Sequence, residues 1–386
     1  MKKIVMITPS LGMGGMERVL INYANLFARR GYEVTILNLT YHDEMLLELL
    51  DKSVKYQNYY TPVKHISKTS FKDFFRGNFR LRSFQKWVER HSARFLYKKY
   101  IKEKFDIEIA FFGGIATKIV SGSTNQEAAK FAWIHSANIE GLIKDIGGEK
   151  EFCQVYNAVE HIICVSKEIK QAVESLVDKE RLYVLHNPQD TEKIRRMAEE
   201  YVKFDGDGLH FINVSRLDDK SKGFMRLLDV CKKLNEEGFS YHLWIVGDGI
   251  DAKKIQNHAC ELELRNVHFL GQQSNPYKYI RAADFYVCSS HYEGFSMTMM
   301  EAVILGKPII TTHVSGTMEM LDDGRYGMIV ENSAQGLYEG LKQILFDQML
   351  RNDYKEKAEQ RKNYFNEEEI INQFEAMCLK DAKRLG

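Results

Sequence analysis

The stretch Ser289-Ser290-His291-Tyr292-Glu293-Gly294-Phe295-Ser296-Met297-Thr298-Met299-Met300-Glu301 decides how the second half of this chain is organised. The short apolar run 283–288 before it predicts a buried strand. Residues 297–305 have the composition of a helix, and Gly306 and Pro308 are typical end signals. Residues 309–312 then predict another strand. The sequence therefore predicts a βαβ unit with Glu293 in its strand-to-helix turn, at the carboxyl edge where parallel sheets bind ligands.

Two carboxylates lie on either side of this turn. A helix beginning near Met297 places Glu301 about one turn inside it, so both Glu293 and Glu301 can reach one pocket. Between them, the amides of Gly294, Phe295 and Ser296 lie at a helix N-terminus, where unpaired N–H groups and the helix dipole favour an anion. Taken singly, these residues also fit a solvated glutamate, a turn glycine and an N-cap serine.

The complete pattern resembles the Glu-x7-Glu signature of the retaining glycosyltransferases of family 4. In that family the first Glu contacts the transferred sugar and the second holds the nucleotide ribose. The intervening amides touch sugar and diphosphate. The resemblance therefore implies a catalytic role for Glu293, and donor binding by Glu301 and by Gly294, Phe295 and Ser296.

Length and composition set broad limits. A chain of 386 residues predicts two domains, each large enough for its own core. The 54 Lys and Arg nearly balance the 53 Asp and Glu, which argues against a wholly basic nucleic-acid binder. Six scattered cysteines without a Cys-x-x-Cys pair favour a reducing cytoplasm over disulfides or zinc. No apolar stretch approaches the ~18 residues of a membrane span, so we expect a soluble or peripheral protein.

Alternating strand and helix patterns predict one doubly wound domain in the first half. The predicted strands are 3–9, 33–39, 107–113, 131–136, 161–166 and 182–186. The segment 40–105 departs from this alternation, and its elements are not assigned. Asn187-Pro188 closes the half and resembles the Asn-Pro that ends the family's first domain.

A glycine-rich loop follows the first strand, in the layout of a phosphate cradle. It has neither P-loop nor G-x-G-x-x-G spacing, and a simple tight turn explains it equally well. Family 4 has a Gly-Gly loop at this place over the donor phosphates and the acceptor. Gly14 and Gly15 resemble that pair, which implies donor contact.

His135 ends the predicted strand 131–136. A lone histidine there is commonly a hydrogen-bonded structural residue. Family 4 carries a similarly placed His that approaches the donor sugar, so the resemblance implies a catalytic, sugar-contacting role for His135. No second His or Cys lies nearby at metal-ligand spacing, and we expect no metal.

The second half predicts another doubly wound domain. Its strands are expected at 209–215, 241–247, 267–271, 283–288, 308–312 and 327–330. Residues 189–207, charged and helical in character, predict a linker into this domain. Asp205-Gly206-Asp207 has the look of a metal–nucleotide site, but it precedes a strand and is interpreted as a turn.

Basic residues follow the first strand of this domain. Arg216 and Lys222 lie at either end of a predicted strand-to-helix turn, and a departing nucleotide diphosphate needs its charge neutralised. A solvated charged loop is the plain alternative. Family 4 has an Arg and a Lys before a Gly for this purpose. Lys220 competes for the role, but Lys222-Gly223 fits the family pattern better.

The resemblance implies a GT-B fold, with two doubly wound Rossmann-like domains facing across a cleft and a C-terminal crossover helix. The expected divisions are an acceptor domain at 1–188, a donor domain at 189–364 and a returning helix at 365–386. The implied reaction is retaining, metal-independent transfer of a hexose or N-acetylhexosamine from a nucleotide-sugar, with UDP as the expected nucleotide and no cofactor. A nucleotide-sugar epimerase and a non-catalytic membrane-associated scaffold remain alternatives.

The segment 64–104 has 13 Lys or Arg against 3 Asp or Glu, a net charge of +10. Nine aromatic residues are interleaved with these charges, and a solvated helix does not explain them. RNA binding fits poorly with a chain that is acidic elsewhere. We therefore expect 64–104 to bind an anionic membrane surface at the cytoplasmic leaflet, which suits a lipid-linked saccharide acceptor in surface-polysaccharide synthesis.

Overall fold

The computed structural model describes residues 1–11, 15–40, 44–59 and 87–384. The chain forms two compact units. Unit 1 consists of Met1–Pro188 together with Glu368–Gly386, and unit 2 consists of Gln189–Glu367. Each unit is built around its own parallel sheet.

The strands of unit 1 are β1 (Lys3–Thr8), β2 (Glu33–Asn38), β3 (Lys55–Asn58), β4 (Ile107–Ala110), β5 (Ala129–Ile134), β6 (His161–Cys164) and β7 (Leu182–Val184). Its helices are α1 (Gly15–Arg29), α2 (Glu44–Leu47), α3 (Ala93–Tyr100), α4 (Ile115–Ser121), α5 (Ile139–Ile146), α6 (Glu149–Tyr156) and α7 (Lys167–Val173), with a 3₁₀ turn at Lys179–Arg181. In the described part of the unit the sheet has seven strands in the order β3-β2-β1-β4-β5-β6-β7. Every neighbouring pair is parallel.

The central strands of unit 1 are buried on both faces, as parallel sheets covered by helices require. Residues 129–134 and 161–164 are buried throughout. The edge strand β3 is different, because its residues alternate between exposed and partly buried positions. It lies inside the segment that the sequence left unassigned, and its polar composition gave no apolar run to detect.

The C-terminal helix, α8 (Glu367–Arg384), packs into the core of this unit. Phe374 is fully buried, with its ring centroid 4.7 Å from that of Phe27 and 4.8 Å from that of Phe131. Arg30 at the end of α1 pairs with Glu368 at 3.1 Å and Glu375 at 3.3 Å. The C-terminal helix is thus part of the same compact unit as the first half of the chain.

The strands of unit 2 are β8 (Leu209–Val214), β9 (Tyr241–Val246), β10 (Val267–Gly271), β11 (Phe285–Cys288), β12 (Ile309–Thr312) and β13 (Met328–Val330). Its helices are α9 (Thr191–Met197), α10 (Asp219–Lys222), α11 (Phe224–Glu236), α12 (Ala252–Glu261), α13 (Tyr277–Ala282), α14 (Met297–Ile304), α15 (Thr317–Leu321), α16 (Ala334–Phe346) and α17 (Gln348–Arg361). The sheet has six strands in the order β10-β9-β8-β11-β12-β13, all parallel.

Each strand predicted from the sequence overlaps an observed strand, but most observed strands are a few residues shorter. The apolar runs continue into the loops at the carboxyl edges, where no neighbouring strand pairs with the backbone. The helical interpretation of 189–207 was too long, because the helix there covers only Thr191–Met197. Asp205 and Asp207 flank a bend at Gly206, which has a φ of 107° and precedes β8.

Candidate functional site

The connection between β8 and α11 carries the first part of the candidate site. The single helical turn of α10 ends at Lys222, and Gly223 then takes a φ of 64°. A Cβ atom at Gly223 would lie 2.4 Å from the carbonyl oxygen of Ser289. Glycine is therefore required twice, once for its left-handed backbone and once for this close approach. Gly223 therefore packs directly against the loop that contains Glu293, and Lys222 lies next to it in the chain.

Lys222 and Glu293 form an ion pair at the carboxyl edge of the sheet of unit 2. Lys222 Nζ donates to Glu293 Oε1 at 2.5 Å, and the hydroxyl of Ser290 donates to the same oxygen at 2.7 Å. The Lys222 side chain is 17% exposed and that of Glu293 is 11% exposed. Because water is largely excluded, this pair is screened less than a surface pair would be.

Hydrogen bonds to backbone carbonyls also fix the two loops. The amide of His291 donates to the carbonyl of Ser221 at 2.8 Å. The hydroxyl of Ser289 donates to the carbonyl of Lys222, also at 2.8 Å. On the other side, Thr312 Oγ1 at the end of β12 donates to the carbonyl of Ser290 at 2.6 Å. The position of Glu293 is therefore determined by three neighbouring strand ends.

Glu301 lies in α14 and is only 5% exposed. The phenol of Tyr277 donates to Glu301 Oε1 over a long distance of 3.5 Å. In the same helix, Thr298 Oγ1 accepts a 2.8 Å hydrogen bond from Tyr286, and burial raises the pKa of this phenol well above its usual value. A buried carboxylate is an acceptor, and it can take a hydrogen bond from a ligand hydroxyl.

Residues 294–296 connect Glu293 to α14. Phe295 is 6% exposed, and its ring lies 6.0 Å from that of Phe365 in an edge-to-face arrangement. A Cβ atom at Gly316 would meet the Phe295 ring at 2.5 Å, so the loop after β12 also packs tightly here. Ser296 occupies the N-cap of α14, and its hydroxyl lies 3.5 Å from Thr298 Oγ1. The predicted strand-to-helix turn is thus where the sequence placed it.

Arg216 lies in the same connection as Lys222 but is held much less firmly. Its side chain is 62% exposed, and its guanidinium is 3.8 Å from the carboxylate of Asp218. This distance exceeds that of a hydrogen bond. The structure therefore places both basic residues at the carboxyl edge of β8, with Lys222 engaged by Glu293 and Arg216 facing solvent.

His135 is the first residue after β5 in unit 1, rather than part of the strand. Its Nε2 lies 2.9 Å from the carbonyl oxygen of Phe111, so a neutral ring with Nε2–H donates there. Burial lowers the pKa of His135 to about 4, although the bond to Phe111 opposes this shift. The Phe112 ring is also close, with its centroid 5.9 Å from that of the imidazole. His135 is consequently a neutral residue at ordinary pH.

The glycine pair of unit 1 is only partly described. Gly15 is the first residue of α1, and a Cβ atom there would meet nothing within 4 Å. Packing among the described residues does not demand a glycine at this position. Gly14 lies outside the described residues.

Within unit 2 the structure thus brings together Lys222 and Glu293, with Arg216, Glu301 and residues 294–296 on the same strand-to-helix connections. Sequence reasoning missed Ser290, Tyr277 and Arg226. Ser290 lies inside the quoted stretch but has no distinctive spacing. Tyr277 contacts Glu301 from α13, and Arg226 in α11 donates to the backbone carbonyls of Ser289 and Ser290. Among the described residues, no group of three or more His, Cys, Asp or Glu could hold a metal ion.

Solved structures identify the fold. Staphylococcus aureus TarM, a mutant form crystallised with fondaparinux, alpha-GlcNAc-glycerol and UDP, superimposes with a TM-score of 0.71 at 15% identity. The alignment covers 98% of this chain and 100% of the TarM chain. Two parallel sheets with flanking helices, matched over almost the whole chain, define the GT-B fold of glycosyltransferases. Residues 195–361 match the family model described as glycosyl transferases group 1.

Curated relatives carry related names. Over 197 residues the chain is 30% identical to N-acetylgalactosamine-N,N'-diacetylbacillosaminyl-diphospho-undecaprenol 4-alpha-N-acetylgalactosaminyltransferase of Campylobacter jejuni. That match covers 50% of this chain and 52% of the relative, so the chain spans about half the relative's length. Lipopolysaccharide 1,6-galactosyltransferase of Escherichia coli is 23% identical over 80% of this chain and 79% of its own length. No helix in the described ranges is long and apolar enough to cross a membrane.

Proposed function

We propose that the protein is a retaining glycosyltransferase that moves a hexose or N-acetylhexosamine from a UDP-sugar to a saccharide acceptor. The observation that carries the proposal is the contact between Lys222 and Glu293 at the carboxyl edge of a parallel sheet. It combines a cation for the diphosphate and a carboxylate for the sugar in one place, inside the part of the chain that matches the group 1 family model. Unit 2 is the donor-binding unit in this proposal, and unit 1 binds the acceptor.

Each residue of the site has a defined task in this proposal. Lys222 and Arg216 neutralise the diphosphate as it departs, which lets side chains do the work that a bound metal does in other transferases. Glu301 accepts a hydrogen bond from a ribose hydroxyl. The amides of residues 294–296 lie next to the diphosphate at the start of a helix, where an anion is favoured.

Retention follows if the acceptor attacks from the face that the diphosphate leaves. The bond from the anomeric carbon to the diphosphate oxygen breaks, and a bond to the acceptor oxygen forms on the same face. The acceptor proton passes to the departing diphosphate oxygen. Glu293 and neutral His135 position and stabilise the sugar, so neither residue needs to form a covalent bond to it.

The relatives support the choice of donor and acceptor. The TarM structure contains UDP, and the Campylobacter relative is named for a diphospho-undecaprenol acceptor. We therefore propose a UDP-sugar donor and a lipid-linked saccharide acceptor in surface-polysaccharide synthesis. A lipid-linked acceptor requires the enzyme to work at a membrane surface.

Part of the basic segment 64–104 supports such a surface. Residues 64–86 lie outside the described residues, but the remainder contains an aromatic cluster beside α3. His91 lies between Trp87 and Phe95, with ring centroids 4.3 Å and 4.7 Å away, and Lys99 Nζ is 4.0 Å from the centre of the Trp87 ring. Phe95 is 47% exposed. We propose that this surface docks peripherally on the cytoplasmic leaflet, because an exposed aromatic side chain beside basic residues suits an anionic interface.

The proposal is tested with a panel of UDP-, GDP- and ADP-sugars, scored for binding and for slow hydrolysis in the absence of acceptor. We expect hydrolysis of a UDP-sugar by the parent protein and its loss in Glu293→Gln. Activity should persist in EDTA. Release of an epimerised free sugar would favour an epimerase, and no turnover of any donor would favour a non-catalytic scaffold.

A further inference from the structure

We infer that Arg226 and its partner Asn332 are positioning residues for the Lys222–Glu293 pair. The inference rests on the proposed function for its catalytic consequence. Neither residue contacts Glu293 directly, and both act on the backbone of the loop that carries it.

Arg226 lies in the first turn of α11, four residues after Lys222. Its Nη2 donates to the carbonyl of Ser289 at 2.7 Å and to the carbonyl of Ser290 at 2.8 Å, and its Nε donates to Ser289 at 3.1 Å. These carbonyls follow the last residue of β11, Cys288, which is also the last to pair with β12. Arg226 therefore supplies the donors that the sheet no longer provides.

Asn332 extends the same contact to the neighbouring strands. Its Oδ1 accepts a hydrogen bond from Arg226 at 2.8 Å. Its Nδ2 donates to the carbonyl of His291 at 2.8 Å and to that of His313, just past β12, at 3.2 Å. The Arg226–Asn332 pair thus connects three consecutive carbonyls before Glu293 to the loops after β12 and β13.

The consequence for the site follows from the short path to Glu293. Ser290 uses its carbonyl to accept from Arg226 and its hydroxyl to donate to Glu293. A shift of the Ser290 backbone would therefore move the hydroxyl that holds the carboxylate. Gly223 packs tightly against Arg226, since an added Cβ would lie 2.7 Å from Arg226 Nε. The guanidinium therefore has little room to shift.

Arg226 also changes the local electrostatics. The half-buried guanidinium neutralises the carbonyl oxygens of Ser289 and Ser290 at the edge proposed to bind the diphosphate. It also helps to lower the pKa of His291, after burial, and this favours the neutral imidazole. Arg226 thus adds positive charge at the anion-binding edge without contacting the reacting atoms.

Arg351 provides a matched control. It is an arginine of the same unit that likewise donates to two backbone carbonyls, those of Ile344 at 2.8 Å and Leu345 at 3.0 Å. Those residues belong to α16, away from the Glu293 loop. Arg226→Ala and Arg351→Ala each remove a guanidinium that donates to two backbone carbonyls. A difference in kcat between the two variants therefore reports the position of Arg226 beside the Glu293 loop.

The experiment compares Arg226→Ala, Arg226→Lys, Asn332→Ala and Arg351→Ala for Tm, for donor-hydrolysis kcat and KM, and for amide hydrogen exchange over residues 289–296. We expect Arg226→Ala to lower kcat about a hundredfold, as misplacement of a reacting group by about 1 Å typically does. Its KM should change much less, and its Tm should fall no further than that of Arg351→Ala. Asn332→Ala should act in the same direction, and guanidinium added at millimolar concentration should partly restore Arg226→Ala.

Faster exchange over 289–296 in Arg226→Ala, but not in Arg351→Ala, supports the inference. Equal kcat for Arg226→Ala and Arg351→Ala, or unchanged exchange in both, overturns it, even if Glu293→Gln is inactive and the proposed function holds. If the parent protein turns over no nucleotide-sugar, the proposed function fails instead. In that case the hydrogen-exchange comparison still tests whether Arg226 positions the loop 289–296.

Discussion

Lys222 and Glu293 are 71 residues apart in the chain, yet Lys222 Nζ lies 2.5 Å from Glu293 Oε1. The cation that we propose for the diphosphate is thus in direct contact with the carboxylate that we propose for the sugar. In the proposed reaction, the donor diphosphate is a second anion beside Lys222. The pair therefore holds the lysine side chain at the place where the proposed diphosphate would bind.

Glu293→Gln removes the charge of the carboxylate while retaining its shape. We expect a folded protein with turnover reduced at least about a hundredfold, since groups that stabilise charge in a transition state are typically worth this much. Donor hydrolysis and Tm measure the two effects. Glu237→Gln is the control, because Glu237 accepts from Tyr338 and Lys342 elsewhere in unit 2. Similar activity of the two variants would refute the assignment of Glu293.

Arg216→Ala should depress catalysis much more than stability. The guanidinium is 62% exposed and only weakly paired, so its removal should change the free energy of unfolding by less than about 0.5 kcal/mol. Loss of a cation that stabilises the departing diphosphate should lower turnover by about 10²–10³. Lys220→Ala, an exposed residue in the same connection, is the matched control. Turnover within about threefold of the parent would show that Arg216 has no such role.

The sequence predicts the parts of this site that depend on neighbouring residues, but not the contacts between residues far apart in the chain. Apolar runs located β11 and β12, and the composition after Ser296 located α14, because these are local signals. The polar edge strand β3 was not predicted, because its residues alternate between exposed and partly buried positions and form no apolar run.

The Glu293 and Lys222 positions came from motif resemblance, and no spacing rule predicts their direct contact. Arg226 was missed for the same reason, because its partners Ser289 and Ser290 are 63 and 64 residues away. A basic residue on a helix normally indicates a solvated surface. The structure instead shows its guanidinium donating to the two carbonyls that follow the end of β11.

The donor nucleotide is tested by calorimetry. We expect UDP to bind more tightly than GDP or ADP, in line with a UDP-sugar donor. Glu301→Ala should weaken UDP binding, because a ribose hydroxyl loses its buried acceptor. A tenfold preference for GDP, about 1.4 kcal/mol, would point to a GDP-sugar instead.

His135 should make the protein sensitive to acid. Its pKa is lowered to about 4 in the folded chain, against an ordinary value of about 6.5. The folded state therefore prefers the neutral ring, and this contribution is complete above about pH 6.5 and lost as the pH falls towards 4. Allowing for its partial exposure, we expect on the order of 1–2 kcal/mol.

His135→Gln keeps an N–H donor for Phe111 but cannot titrate. Its stability should therefore fall less than that of the parent between pH 6.5 and 4, as measured by urea unfolding at each pH. His161→Gln serves as a control histidine on the neighbouring strand β6. If the free energy of unfolding changes equally with pH in the parent and in His135→Gln, the pKa of His135 does not differ between the folded and unfolded states.

Binding to anionic membrane is the prediction that reaches furthest from the site. The described part of the basic segment places Arg94 and Lys98 on exposed positions of α3, close to the Trp87, His91 and Phe95 cluster. Each basic residue near an anionic bilayer contributes roughly 1 kcal/mol. Arg94→Gln with Lys98→Gln should thus weaken binding by about 2 kcal/mol, or roughly thirtyfold.

Sedimentation with anionic and neutral vesicles, at low and high salt, measures this effect. The control changes Lys253 and Lys254 to Gln, because these are two exposed lysines on α12 of unit 2 with the same loss of charge. We expect the control to bind anionic vesicles like the parent, and all binding to fall at high salt because exposed charges are screened. Equal and negligible sedimentation with both vesicle types would contradict membrane docking and favour a soluble acceptor.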